Sequence, residues 1–159
     1  MDKTENRKTV AQSRTEQVQI VSLGMLNGFK RLFGGKLMEW IDVVAVVVAR
    51  RHSGCNVTTA VVDTLQFQGA AYANETLVLD GYVTYVGNTS MEVCVKTYVE
   101  ELDGRKRLIN KAYFVMVAID DNERPTKVPG LIISSEEEQR EWDEAKKRAE
   151  LRKKAQKES

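Results

Sequence analysis

The chain is poor in the residues that metal and nucleophile chemistry most often uses. It has one histidine, His52, and two cysteines, Cys55 and Cys94, among 159 residues. A His-based metal site or a Ser-His-Asp triad therefore has almost nothing to build on. Two cysteines imply no disulfide framework and suit a reducing compartment. Both sit in apolar stretches without a second Cys or His at metal spacing, so core packing is their plain role. Long hydrophobic runs are missing too. The longest, residues 43–49, is too short to cross a bilayer. The polar first stretch, residues 1–19, lacks the apolar core of a signal peptide. Charge of one sign is not in excess: 24 Lys and Arg stand against 23 Asp and Glu, leaving +1. Bulk charge thus argues for no anionic partner. What is present is 42% hydrophobic residues, enough for a real core in one domain. A cytoplasmic protein with no membrane span is expected.

The patterning divides the chain into three parts. Residues 1–15 read as a flexible arm, 16–133 as the folded domain and 134–159 as a charged C-terminal helix. Residues 17–23 alternate weakly and suggest a short strand with Val18 and Ile20 on one face. Residues 36–51 are apolar nearly all round. Their valines favour a strand, but a pattern of this length favours a buried helix, with Arg50 and Arg51 at its end and Gly54 beyond. From residue 57 onward the alternation is that of strands, over 57–67, 76–86, 90–102 and 107–120. Gly87-Asn88, Asp103-Gly104 and Asp121-Asn122 supply turn chemistry between them. Short connections predict an antiparallel meander. The class is therefore α+β, with one buried helix and four strands, and a fifth strand before the helix. Residues 126–133 read as an extended linker. Ser135 and Glu138 match a capping box for the last helix, whose acidic start and basic end complement its dipole. Glu144 with Arg148 and Glu150 with Lys154 are favourable four-apart pairs, and Trp142, Ala145 and Ala149 form a thin packing stripe.

The chemistry concentrates in one segment. Asn27 precedes a Gly34-Gly35 pair, and an apolar stretch follows that contains Asp42. A carboxylate among apolar neighbours is costly unless it is paired, neutralised or used. One reading of Asp42 is a buried group satisfied by backbone donors or an Arg; the other is a general base. Glu39, three residues earlier, reads as a boundary charge reaching solvent. Gly34-Gly35 is either a tight turn that needs glycine or an oxyanion hole, since free N–H groups at a helix start favour negative charge. Gly35 and Asp42 are seven residues apart, roughly 10 Å on one helix. Both cannot easily touch one reacting carbonyl, so a site using both would take one of them from a second protomer.

Asn27, Phe33-Gly34-Gly35 and Asp42 together resemble the signature of the hotdog-fold acyl-CoA thioesterases, in the group of the brain cytosolic acyl-CoA hydrolase and its bacterial relatives. The resemblance runs on through Ala49-Arg50-Arg51-His52, through Thr59, Asp63 and Phe67, through residues 86–93 with their Gly87 turn, and through Val128-Pro129 and the charged tail. It implies a single hotdog domain, an antiparallel sheet wrapped around a long central helix, with an added C-terminal helix. It further implies dimers, often assembled as three dimers in a hexamer, with active sites between subunits. By that resemblance Asn27 and Asp42 are the catalytic pair, contributed by opposite subunits. Asp42 acts as general base or as nucleophile, and Asn27 orients water or the thioester. Gly34 and Gly35 offer donors to the carbonyl oxygen, and Thr59 supports the site. Gly87, Asn88, Thr89 and Ser90 receive the phosphates of coenzyme A, with Arg51 as a further partner; no cofactor is implied beyond the coenzyme A of the substrate.

This chain departs from the pattern in two places. Lys30 and Arg31 stand where many relatives have a Gly and a small residue. Val43 follows Asp42 where Glu is common. Two other functions fit part of the pattern. One is a hotdog that binds acyl-CoA as a sensor or scaffold without hydrolysing it. The other takes the basic end, Lys146 to Lys157, as a nucleic-acid contact, which the preceding acids and near-neutral total oppose. No nucleic-acid partner is expected.

Overall fold

The computed structural model describes residues 6–158. In chain order these form β1 (Arg7–Thr9), α1 (Val10–Ser13), β2 (Thr15–Ile20), α2 (Gly34–Ser53), β3 (Asn56–Phe67), β4 (Thr76–Val86), β5 (Ser90–Glu100), β6 (Lys106–Ile119), β7 (Gly130–Ile132) and α3 (Glu136–Glu158). Five strands make one antiparallel sheet in the order β2-β4-β5-β6-β3. The valine-rich segment is helical, as its length predicts. The hairpins at Gly87-Asn88 and Asp103-Gly104 form as read; Gly104 has φ +90°, a conformation that favours glycine.

The sheet has two differently covered faces. Strand alternation sends Met91, Val93 and Val95 of β5 to one side and Glu92 and Cys94 to the other, all of them buried. The first side packs on α2, whose Leu37, Trp40, Ile41, Val44 and Val48 recur at helical spacing and are buried. At Gly81 a Cβ would lie 2.5 Å from Val44 Cγ1, so this glycine sets how closely helix and sheet approach. Gly54 ends α2 at φ +69°, its N–H bonded to the Arg50 carbonyl at 2.8 Å.

The second side carries α3. Ser135 Oγ accepts from the Glu138 N–H at 3.1 Å, and the Glu138 carboxylate turns to the Ser134 N–H at 2.9 Å, one residue before the box position. Ala145 is fully buried, and Trp142 stacks obliquely on Tyr85 with centroids 4.4 Å apart. Arg148 does not pair with Glu144. It crosses to the buried Glu92, with Nη2 at 2.7 Å and Nε at 3.1 Å, because an unpaired carboxylate there costs more than a solvated one on the helix. Thr84 Oγ1 donates to the same carboxylate at 2.6 Å, and Arg152 joins it to Asp63 of β3.

Three expectations change. Residues 7–13, read as part of a flexible arm, form β1 and α1; β1 pairs in parallel with β7, which replaces the middle of the expected linker. Thr9 caps α1 in a full capping box with Gln12. Met1 to Glu5 lie outside the described residues. The strands are not a simple meander: β3 pairs with β6 at the far edge. The eight residues from β3 to β4 are too long for a tight hairpin, and Ala71 O and Asn74 N tie them to Leu32 and Val21 instead, leading the chain across the sheet. Val18 and Ile20 share a face of β2, as their alternation suggests, and that face is exposed. Finally, α2 is not covered all round by its own domain: Glu39, Asp42, Val43 and Arg50 form an exposed stripe. Among the described residues no helix is long and apolar enough to cross a membrane.

Candidate active site

Asn27 belongs to a loop that closes on itself before α2. Its Oδ1 accepts from the N–H of Phe29 at 2.9 Å and of Arg31 at 3.2 Å, and its own N–H donates to the Arg31 carbonyl at 2.7 Å. These bonds spend the carbonyl half of the amide on the loop. No partner engages the NH₂ half among the described residues, which leaves it as a donor. Lys30 sits inside this loop at φ +61°, the left-handed region that suits glycine. That explains the glycine expected here by resemblance. The Asn27 bonds to both sides hold the lysine in this conformation.

The Gly34-Gly35 pair opens α2. Neither glycine has a positive φ, so the tight-turn explanation does not hold. A Cβ on Gly35 would press on the Phe33 ring, 2.7 Å away, whereas one on Gly34 would meet nothing within 4 Å. The backbone at Gly34 is thus open to close approach. The first N–H groups of a helix lack intrahelical partners and face the positive end of its dipole. The Phe33 carbonyl already takes the N–H groups of Lys36 and Leu37, leaving those of Gly34 and Gly35 for a ligand.

Asn27 and Gly34 line one cavity of about 160 Å³, together with Leu37, Phe67, Ala71 and Ile109. Asp42 and Thr59 do not reach it within the same chain. Asp42 is exposed, two turns along α2, and among the described residues nothing pairs with its carboxylate. The reading of Asp42 as a buried, satisfied group is therefore wrong for the single chain: it lies on the one helix flank that the sheet leaves open. Glu39 is exposed and ion-pairs with Lys36 at 3.6 Å, as a boundary charge should. Thr59 lies on β3, the sheet edge, where its hydroxyl contacts the Met116 sulfur at 3.5 Å.

The phosphate candidates lie at the other end of α2. The Gly87 N–H is consumed by the Ser90 carbonyl at 2.9 Å, and a Cβ there would meet Ser90 Oγ at 2.8 Å, so Gly87 serves the turn itself. The Asn88 and Thr89 carbonyls hold Val128 and Ala118. That leaves the Asn88 amide and the part-exposed Thr89 and Ser90 hydroxyls without a hydrogen-bond partner among the described residues. Arg51 reaches Thr15 Oγ1 at 3.0 Å and is more than four helical turns from Gly34, roughly 25 Å. His52, buried beside it, donates from Nε2 to the Pro129 carbonyl at 2.9 Å, and burial lowers its pKa. Cys94 is buried and pushed up to about 11 by loss of hydration, which fits core packing and not a nucleophile.

Sequence reasoning missed the cavity wall. Leu37, Ala71 and Ile109 look like any core residues, and only the fold shows that they flank Asn27. Phe67 alone had a signal, as part of the resemblance.

Known proteins resemble this chain in sequence and fold. A model of the thioesterase superfamily matches residues 29–104. The chain is 39% identical to an uncharacterized acyl-CoA thioester hydrolase, YkhA, of Bacillus subtilis, over 70% of this chain and 66% of that one. An apo-hexameric acyl-CoA thioesterase superposes with a TM-score of 0.90 at 36% identity, over 94% of this chain and 96% of that one. An acyl-CoA hydrolase from Staphylococcus aureus, solved in complex with butyryl coenzyme A, coenzyme A and coenzyme A disulfide, superposes with a TM-score of 0.90 at 31% identity, over 96% of this chain and 93% of that one. That hydrolase has also been solved with an asparagine, an aspartate or a threonine replaced by alanine. The chain spans between 25% and 66% of the length of the first curated relatives it matches. An antiparallel sheet around a long central helix, seen over nearly the whole chain in acyl-CoA hydrolases more than 30% identical to it, makes this chain a hotdog-fold member of the thioesterase superfamily.

Proposed function

We propose that this protein hydrolyses acyl-CoA thioesters as a homo-oligomer, with Asn27 of one subunit and Asp42 of another completing each site. One observation carries the reading. Within one chain Asn27 and Gly34 share a cavity, while Asp42 stands exposed on α2, and β3 forms an edge of the sheet. A twelve-residue edge strand invites pairing with a second copy. A dimer formed there brings the open stripe of α2 under cover and carries Asp42 toward the partner's cavity. The hexameric relative favours further assembly of such dimers.

The chemistry needs little more. Asp42 takes a proton from water, whose oxygen attacks the thioester carbon. The N–H groups of Gly34 and Gly35 meet the oxyanion, a contribution worth about 3 kcal/mol. Collapse expels the coenzyme A thiolate, which takes the proton from Asp42 and leaves the free acid. Direct attack by Asp42, with an anhydride intermediate, is the other route compatible with these positions. The Asn27 NH₂ orients the water or the carbonyl. Thr59 steadies the site from β3, and the Asn88, Thr89 and Ser90 groups, with Arg51, take the phosphates of coenzyme A. No cofactor enters this scheme, and two free thiols suit a cytoplasmic setting.

Subunit mixing tests the shared site. Asn27→Ala and Asp42→Asn should each be inactive in thiol release from a panel of acyl-CoAs. Refolded together in equal amounts, they should recover about a quarter of wild-type activity, because mixed dimers hold one intact site of two. An inactive mixture rejects the cross-subunit site. Tight acyl-CoA binding without turnover by the wild type would identify a sensor instead.

A further inference from the structure

The face of the sheet against α2 is mostly apolar: at its β2 edge the buried Thr15 is engaged by Arg51, and further in one pair of buried polar residues stands without such a partner. Gly81 faces Val44 and Val48, and the ladder carries the same face through its partner Val95 to Ala112. Two residues along, Leu79 pairs with Thr97 and Thr97 with Asn110. Thr97 and Asn110 are therefore side by side under α2, and both are fully buried. Thr97 Oγ1 and both polar atoms of the Asn110 amide have no hydrogen-bond partner among the described residues. Their neighbours on this face, Leu79, Val95 and Ala112, have nothing to offer them. Three unsatisfied polar atoms in a core are costly, and folded proteins keep such groups for a reason.

Their position supplies the reason. The β5–β6 ladder slips between Thr97 and Tyr98, so Ile109 is an extra residue beside Asn110, and both are buried. Ile109 lines the cavity that also holds Asn27 and Gly34. Asn110 is next to it in sequence and is paired across the sheet with Phe67, another wall of that cavity. We propose that Thr97 and Asn110 form a polar end to the acyl pocket and that the preferred substrate is a hydroxyacyl thioester. This rests on the acyl-CoA hydrolase reading and names its substrate class. An amide offers both donors and an acceptor, and so does a hydroxyl. A chain hydroxyl accepts from Asn110 Nδ2 and donates to Asn110 Oδ1 or Thr97 Oγ1. A ketone leaves the Asn110 oxygen unsatisfied, and a saturated chain leaves all three atoms so.

The test compares kcat/KM for matched substrates: butyryl- against 3-hydroxybutyryl-CoA, and hexanoyl- against 3- and 5-hydroxyhexanoyl-CoA. The wild type should favour at least one hydroxylated chain over its plain partner by about tenfold or more. Thr97→Val and the double variant Thr97→Val/Asn110→Leu should erase that preference, bringing the hydroxylated-to-plain ratio of kcat/KM to within about twofold of one. Both replace polar atoms by apolar ones of similar shape, and a raised melting temperature will show that they fold. Equal rates for plain and hydroxylated chains in the wild type, or a preference that survives both variants, overturn the proposal and leave the hydrolase reading standing. No turnover of any of the five substrates overturns the proposal, and no turnover of longer acyl-CoAs as well overturns the hydrolase reading too.

Discussion

Glu92 and Asp42 are two carboxylates in largely apolar elements, and the fold treats them in opposite ways. Glu92 lies on β5 under α3, with its side chain only 1% exposed, and it is held by Thr84, Arg148 and Arg152. Asp42 lies on α2, exposed, with no partner among the described residues. A buried charge must be paired or it destabilises the fold. An exposed one owes nothing to the fold, and the proposed cross-subunit site would use it for chemistry. The charged face of the sheet is thus finished within one chain, and the apolar face is left open along one flank.

That contrast can be broken from either side. Glu92→Ala strands Arg148 and Arg152 without their carboxylate and should cost about 3 kcal/mol or more in urea unfolding. A loss under about 1 kcal/mol would mean that the network contributes no more than a surface pair. Asp42→Asn should do the reverse. Turnover should fall at least about a hundredfold, about 2.7 kcal/mol in barrier, while the unfolding free energy stays within about 0.5 kcal/mol. Gly81→Ala sharpens the comparison by acting on the apolar face alone. Its methyl would overlap Val44, with an expected cost of about 1 to 3 kcal/mol and an altered seating of α2, readable by unfolding and by near-ultraviolet circular dichroism. The smallest effect belongs to His52, at the closed end of α2. Burial lowers its pKa from 6.5, so the unfolded chain binds its proton more readily. Stability is then full above about pH 6.5 and declines as pH falls below it. His52→Gln keeps a donor for Pro129, and the stability curve between about pH 7 and 5.5 should flatten by the share of one proton.

Much of this molecule is legible in its residues. Helical spacing, the Gly54 stop and strand alternation locate α2 and β3 to β6, because local periodicity and backbone chemistry act over a few residues. Asn27 stands out through the family resemblance, whereas the glycine pair and Asp42 could be singled out on similar local grounds. The strand order could not be. Alternation says that β3 is a strand, but the bonds from Ala71 and Asn74 to distant residues decide that it pairs with β6. Nor could the partner of Arg148 be read, since Glu144 lies one turn away along the helix and Glu92 lies across it on the sheet. The cavity beside Asn27, the exposure of Asp42 and the stranded amide of Asn110 depend on which surfaces the folded chain covers. The sequence by itself determined the elements and the reactive residue types; only the tertiary structure decided what each of them faces, because burial and pairing are properties of segments brought together from far along the chain.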